Sequence, residues 1–183
     1  MRGAPLQCGY TLTETLIAAG ILSALMAIAA PELARTVQSV HLRGGMEALA
    51  SGLRLARFEA VKRNGAVVMC KSADGLQCLR QGDWSQGWIV FHDKNNNGYW
   101  EPGEDLLYRE RLIVKGLRMW GNMHVRDYVS YTAFGKAKTL AGAFQAGTFT
   151  VCQHSQATTD AYLVVINIQG RPRVEKTVLE HCT

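Results

Sequence analysis

The chain has 183 residues, 48% of them apolar and 19% charged. That suffices for one globular domain plus an appendage, falls short of two well-cored domains, and excludes global disorder or low complexity. Twenty Lys and Arg against fifteen Asp and Glu leave a net charge of +5, a mild excess that admits an acidic partner without requiring one.

The first nine residues, MRGAPLQCG, carry one basic side chain, Arg2. Thr15 to Ala30 then reads TLIAAGILSALMAIAA, without a charge. With Tyr10, Thr11 and Leu12 ahead of it, this run approaches the roughly 20 residues that span a bilayer as a helix. The basic end is expected to stay in the cytoplasm and the rest of the chain to lie outside. Glu14 opens the run. A carboxylate in lipid costs about 2.5–3.5 kcal/mol at mid-membrane, less near the interface, so it needs a partner. Ala27-Ile28-Ala29 is a signal-peptidase pattern and sustains a rival reading, an ordinary secretory signal. Against that rival, the apolar run passes directly into a long helical pattern.

Pro31 removes a helical hydrogen bond and either bends the helix or begins a second one. Beyond it Leu42, Met46, Leu49, Leu53, Ala56 and Ala60 recur at steps of three and four, with Arg43, Glu47, Arg54, Arg57 and Lys62 largely off that stripe. The pattern predicts helix from about Tyr10 to Arg63, ended by Asn64-Gly65. The periodicity then changes. Strands are expected at 66–71, 87–92, 106–114, 117–120, 128–134, 147–153, 161–169 and 173–179, separated by Gly, Asn and Asp punctuation. The fold class is α+β: a long N-terminal helix packed on antiparallel strands, in one sheet or two small ones.

Five cysteines are present, Cys8, Cys70, Cys78, Cys152 and Cys182. An odd count in an exported chain is explained if Cys8 is removed. The other four allow three connectivities, and pairing of neighbours, Cys70 with Cys78 and Cys152 with Cys182, is the expected one. No CxxC pair supports zinc. Disulfides imply an oxidising compartment.

Asp93 to Glu104 fits the calcium-loop pattern D-x-[DN]-x-[DN]-G-x5-E. Asp93, Asn95, Asn97 and Glu104 would supply side-chain oxygens and Tyr99 a carbonyl. The competing reading is a hairpin loop that satisfies its own backbone, because Pro102 and Gly103 stand where a helix should begin. No other cofactor is indicated.

Gly170-Arg171-Pro172-Arg173 is a turn followed by extended chain. Residues two apart point to one side, so Arg171 and Arg173 are expected to present two guanidinium groups together, a geometry suited to adjacent phosphates. Lys176 is expected to extend that patch, with Glu175 turned away. Lys136 and Lys138 form a second basic loop. Trp84, Trp88, Trp100 and Trp120 could stack on single-stranded bases, although tryptophans are more often core or turn residues. No nucleophile elbow, phosphate loop or zinc-protease helix is found, and the chain reads as a non-enzyme.

Gly9-Tyr10-Thr11-Leu12-Thr13-Glu14 resembles the prepilin peptidase motif of type IV pilins and pseudopilins. Tyr10 stands where phenylalanine is usual. The resemblance implies cleavage after Gly9, N-methylation of Tyr10, and pairing of Glu14 with the amino terminus of a neighbouring subunit; Pro31 matches a helix-kinking proline. Residues 1–9 would then be a leader, 10–31 the transmembrane and pilus-core half of the helix, 32–63 its amphipathic half, and 64–183 a disulfide-stapled head. Cys70 and Cys78 around Ala73-Asp74-Gly75, Trp84, Gly87 to Phe91, Asp93 to Gly98 and Gly170-Arg171 resemble the narrower GspH/FimT family of minor pilins and pseudopilins. Its GRxR motif is implicated in DNA binding for natural transformation, which implies DNA contacts at Arg171 and Arg173. The implied partners are other pilin subunits, prepilin peptidase, the inner membrane before assembly, and DNA. The implied location is a single-pass inner-membrane subunit with a periplasmic head that passes into a pilus at the cell surface.

Overall fold

A computed structural model describes residues 11–111 and 114–182. The leader, Cys8, the Gly9 cleavage position and Tyr10 lie outside the described residues. The chain forms two compact units, the first ending at Ser39 and the second Val40–Thr183.

Helix α1 runs Leu12–Arg63. Thr11 Oγ1 accepts the Glu14 N–H at 3.3 Å, and a carboxylate in the first turn suits the positive end of the helix. The helix continues through Pro31, so no second helix begins there. In the first unit Leu16, Ile17, Ile21 and Leu25 are exposed, and this part of α1 is long and apolar enough to cross a membrane.

In the second unit the predicted stripe of α1, from Leu42 to Ala60, is buried. The helix stops where Asn64 turns left-handed, with φ 52°, and Gly65 N–H reaches back to the Ala60 carbonyl at 3.2 Å. Eight strands follow: β1 Val67–Lys71, β2 Trp88–His92, β3 Leu106–Glu110, β4 Leu117–Gly121, β5 Tyr128–Tyr131, β6 Gly147–Gln153, β7 Thr159–Ile166 and β8 Pro172–Leu179. They form two four-stranded antiparallel sheets, ordered β3-β2-β1-β5 and β4-β6-β7-β8.

Three strands end earlier than the sequence pattern suggested. Glu110 pairs with Trp88, the first residue of β2, so Arg111 has no partner strand. Tyr131 is followed by a turn in which Thr132 N–H donates to the Lys136 carbonyl at 3.0 Å. Ile166 is followed by another, in which Gly170 N–H donates to the Asn167 carbonyl at 2.8 Å.

Trp84 and Trp88 are fully buried, and Trp84 meets Phe149 edge-on at 5.2 Å. Trp84 Nε1 donates to the Val125 carbonyl at 3.1 Å. Trp100 donates to the Glu104 carbonyl at 3.3 Å, and Trp120 packs beside Cys152 and Cys182. All four tryptophans are thus committed to the head, and none is an open stacking platform. Disulfides join Cys70 to Cys78 and Cys152 to Cys182. Lys71 is buried beside the first of them. Its ammonium donates to the Arg80 and Gly82 carbonyls at 3.0 and 2.9 Å and lies 2.9 Å from an Asp127 carboxylate oxygen, a charge contact that is not directed as a hydrogen bond. This cation is buried with three oxygen neighbours, which meets the requirement for a charge held away from water.

Candidate nucleic-acid interface

The turn carrying Arg171 is made by Gly170, whose φ of 73° is left-handed. A Cβ at Gly170 would lie 2.5 Å from the Gly135 carbonyl oxygen and 2.8 Å from Tyr131 Cε1. Only glycine permits that approach, and it seats the 167–171 turn directly on the 132–136 turn. Arg57, reaching out from α1, donates its Nε–H to the Gly135 carbonyl at 2.9 Å and ties the helix to the same point. Beneath them the Tyr131 phenol is wholly buried. Burial pushes its pKa up, with the Arg57 charge opposing.

Three segments far apart in sequence therefore meet at one edge. Arg54, Arg57, Phe58 and Arg171 line a hollow of about 500 Å³. Phe134, Lys136, Lys138 and Phe144 line a second, of about 440 Å³. Gly135, flanked in sequence by Phe134 and Lys136 of the second hollow, is held against Arg57 of the first and against Gly170, which precedes Arg171 of the first. Among the described residues, Arg57, Arg171, Arg173, Lys136 and Lys138 have no carboxylate within 4.0 Å. Positive charge without an internal counter-ion remains available to an external anion.

Two expectations for the basic turn need correction. Arg171 lines the first hollow, whereas Arg173 is exposed on β8 opposite Val165 and does not line it. Pro172 already belongs to β8 and pairs with Ile166, so Arg171 lies before the regular strand and strand parity does not carry it to the side of Arg173. Lys176 does not extend the patch. In β8 it stands opposite Tyr162, on the side of Val174, while Glu175 shares the side of Arg173. Lys176 is paired with Asp160 at 2.8 Å, and that hydrogen bond raises its pKa.

The 93–104 loop is closed on itself. Asp93 accepts the Asn97 and Gly98 N–H groups at 3.1 and 2.8 Å, Asn95 accepts from Asn97 at 3.2 Å, and Asn97 accepts from Tyr99 at 2.7 Å. Glu104, which would have to complete a calcium shell, accepts the Lys94 and Glu101 N–H groups at 2.9 and 3.2 Å. Among the described residues no group of three or more His, Cys, Asp or Glu side chains is arranged to hold a metal ion. The donor set fits a self-satisfied loop better than a calcium shell.

Sequence reasoning named Arg171, Lys136 and Lys138; the structure places Arg171 on the first hollow and Lys136 and Lys138 on the second. It missed Arg54, Arg57 and the three phenylalanines. Arg54 and Arg57 were visible as residues off the buried stripe, but nothing local tied them to residues 135 and 171.

Residues 46–170 match the family described as Type II transport protein GspH. A 97-residue segment is 35% identical to the pilin-like protein PilA1 of Thermus thermophilus, over 53% of this chain and 55% of that protein. The chain thus spans about half the length of the curated relative it matches. Two crystal structures of the type IV minor pilin FimU of Pseudomonas aeruginosa share the fold, at TM-scores of 0.57 and 0.53 and 20% identity. They align over 81% and 77% of this chain and 99% of each FimU chain. With a family match over well more than half of its length, the chain belongs to the GspH family, and its long helix on two antiparallel sheets is the fold of the FimU minor pilin structures.

Proposed function

We propose that this minor pilin enters a type IV pilus and binds extracellular DNA, without sequence preference, through the edge built around Gly170 and Gly135. The supporting observation is the convergence of Arg57, Arg171, Lys136 and Lys138 with no carboxylate partner among the described residues. Arg173 stands nearby as an exposed cation. Phosphate contacts of this kind are insensitive to sequence and sensitive to salt. On the assembly side, the chain is cut after Gly9 and methylated at Tyr10. It is held in the inner membrane by residues 10–31 with the head in the periplasm, and registered in the filament by Glu14 against a neighbour's amino terminus. Mass spectrometry of the mature N-terminus tests this: a chain beginning at methylated Tyr10 supports it, and one beginning near Pro31 refutes it.

The family description favours a second reading, a structural pseudopilin of a type II secretion system or a pilus-priming subunit that binds no DNA. A gel shift with single-stranded and with duplex DNA at low salt separates the two. If wild type and the Arg171→Ala/Arg173→Ala variant bind equally poorly, the DNA reading fails and the structural one stands.

A further inference from the structure

We infer that the edge described above selects single-stranded over duplex DNA, with Phe134 and Phe144 as base-stacking platforms set among the phosphate-binding cations. This rests on the DNA-binding reading and names the form of DNA. Three of the five phenylalanines are exposed: Phe58 at 61%, Phe134 at 85% and Phe144 at 62%. The other two, Phe91 and Phe149, are fully buried. All three exposed rings line the two basic hollows. Isolated exposed apolar residues are common on any surface and need no account. Three large aromatics line hollows whose cations, Arg54 with its Glu47 partner excepted, have no carboxylate within 4.0 Å among the described residues, a pattern with a specific chemistry. Lys138 pairs with Phe144 across an antiparallel bridge, so a cation and an exposed ring stand side by side. Lys136 is two residues from Phe134 along the same turn.

Cation next to open ring is what a flexible strand needs, with phosphate oxygens on the ammonium or guanidinium and the base face on the ring. In a duplex every base face is already stacked on its neighbours, so a phenylalanine outside it gains nothing comparable. Phosphate contacts alone bind both forms. The rings supply the difference between them.

The test is fluorescence anisotropy with the full chain in nonionic detergent micelles, using a labelled thymine 20-mer, single-stranded or annealed to its complement. Wild type is expected to bind the single strand more tightly. Phe134→Ala/Phe144→Ala is expected to weaken single-strand binding about tenfold or more while leaving duplex binding within about twofold. Arg171→Ala is expected to weaken both. Phe134→Trp/Phe144→Trp keeps the single-strand preference and checks that loss in the alanine pair does not come from misfolding. Equal wild-type affinity for both forms overturns the inference, and so does an alanine pair that matches wild type, its rings then serving contacts to a neighbouring pilin. In either case arginine-dependent binding leaves the proposed function intact. Absence of binding to both forms overturns the two together.

Discussion

Gly170→Ala places a Cβ where the head has no room for one. The φ of 73° is left-handed, which costs an L-residue about 1–2 kcal/mol. The new atom would also stand 2.5 Å from the Gly135 oxygen, 2.8 Å from Tyr131 Cε1 and 3.1 Å from the Ala137 nitrogen. Two of those neighbours are backbone, so relief requires parting the two turns, and overpacking of this kind costs about 1–3 kcal/mol. The expected loss is therefore about 2–5 kcal/mol. Gly142→Ala is the control. Its φ is 84°, yet a Cβ there meets nothing within 4 Å, so only the backbone penalty of about 1–2 kcal/mol applies. Urea unfolding followed by tryptophan fluorescence reads both, because Trp84 and Trp88 lie in the core. The two variants should differ by about 1–3 kcal/mol. Heating should separate their midpoints by at least about 2 °C for a unit of this size. Equal losses within about 0.5 kcal/mol would falsify the claim that the 167–171 turn is seated on the 132–136 turn. Gly170→Ala should also weaken DNA binding without removing a charge, since it displaces Arg171 from Arg57.

Three further outcomes are expected. Glu59 is held below the ordinary glutamate range, first by the hydrogen bond from Arg63 at 2.7 Å and then by Lys62, against the opposing effect of burial. A lowered carboxyl contributes stability above its unfolded value of about 4.3 and loses it as the pH falls through the folded value. Glu59→Gln should flatten the acid limb of a stability-pH profile, and an unchanged limb refutes the pairing. The disulfides close loops of 8 and 30 residues. On chain-entropy grounds, Cys152→Ser/Cys182→Ser should cost about 1 kcal/mol more than Cys70→Ser/Cys78→Ser, and the reverse order in urea midpoints sinks that estimate. Millimolar calcium should leave the melting temperature unchanged, because the Asp93 and Glu104 oxygens are engaged by the loop's own N–H groups; a rise of several degrees overturns this.

The sequence by itself determined what depends on local spacing. Steps of three and four placed Leu42, Met46, Leu49 and Leu53 on the buried side of α1, and Asn64-Gly65 marked its end, because a helix repeats its faces every few residues and stops where the backbone turns left-handed. The change of periodicity and the Gly, Asn and Asp punctuation placed the strands, with three ends set too late where a strand ran out of partner and the start of β7 set two residues too late. Residues 12–30 announced a segment fit for lipid through apolar length alone. The tertiary structure decided what depends on pairing between distant segments. It divided the strands into two sheets, and it buried Lys71 against carbonyls 9 and 11 residues away. It put Lys176 on the side of Val174 and gave it to Asp160, although the sequence had suggested a patch with Arg173. Above all it seated Gly170 on Gly135 and tied Arg57 to Gly135, which brings to one edge the hollow of Arg171 and Phe58 and the hollow of Lys136, Phe134 and Phe144. No periodicity connects residues 57, 135 and 170. Their meeting follows from the strand order and from the one contact that glycine alone can make.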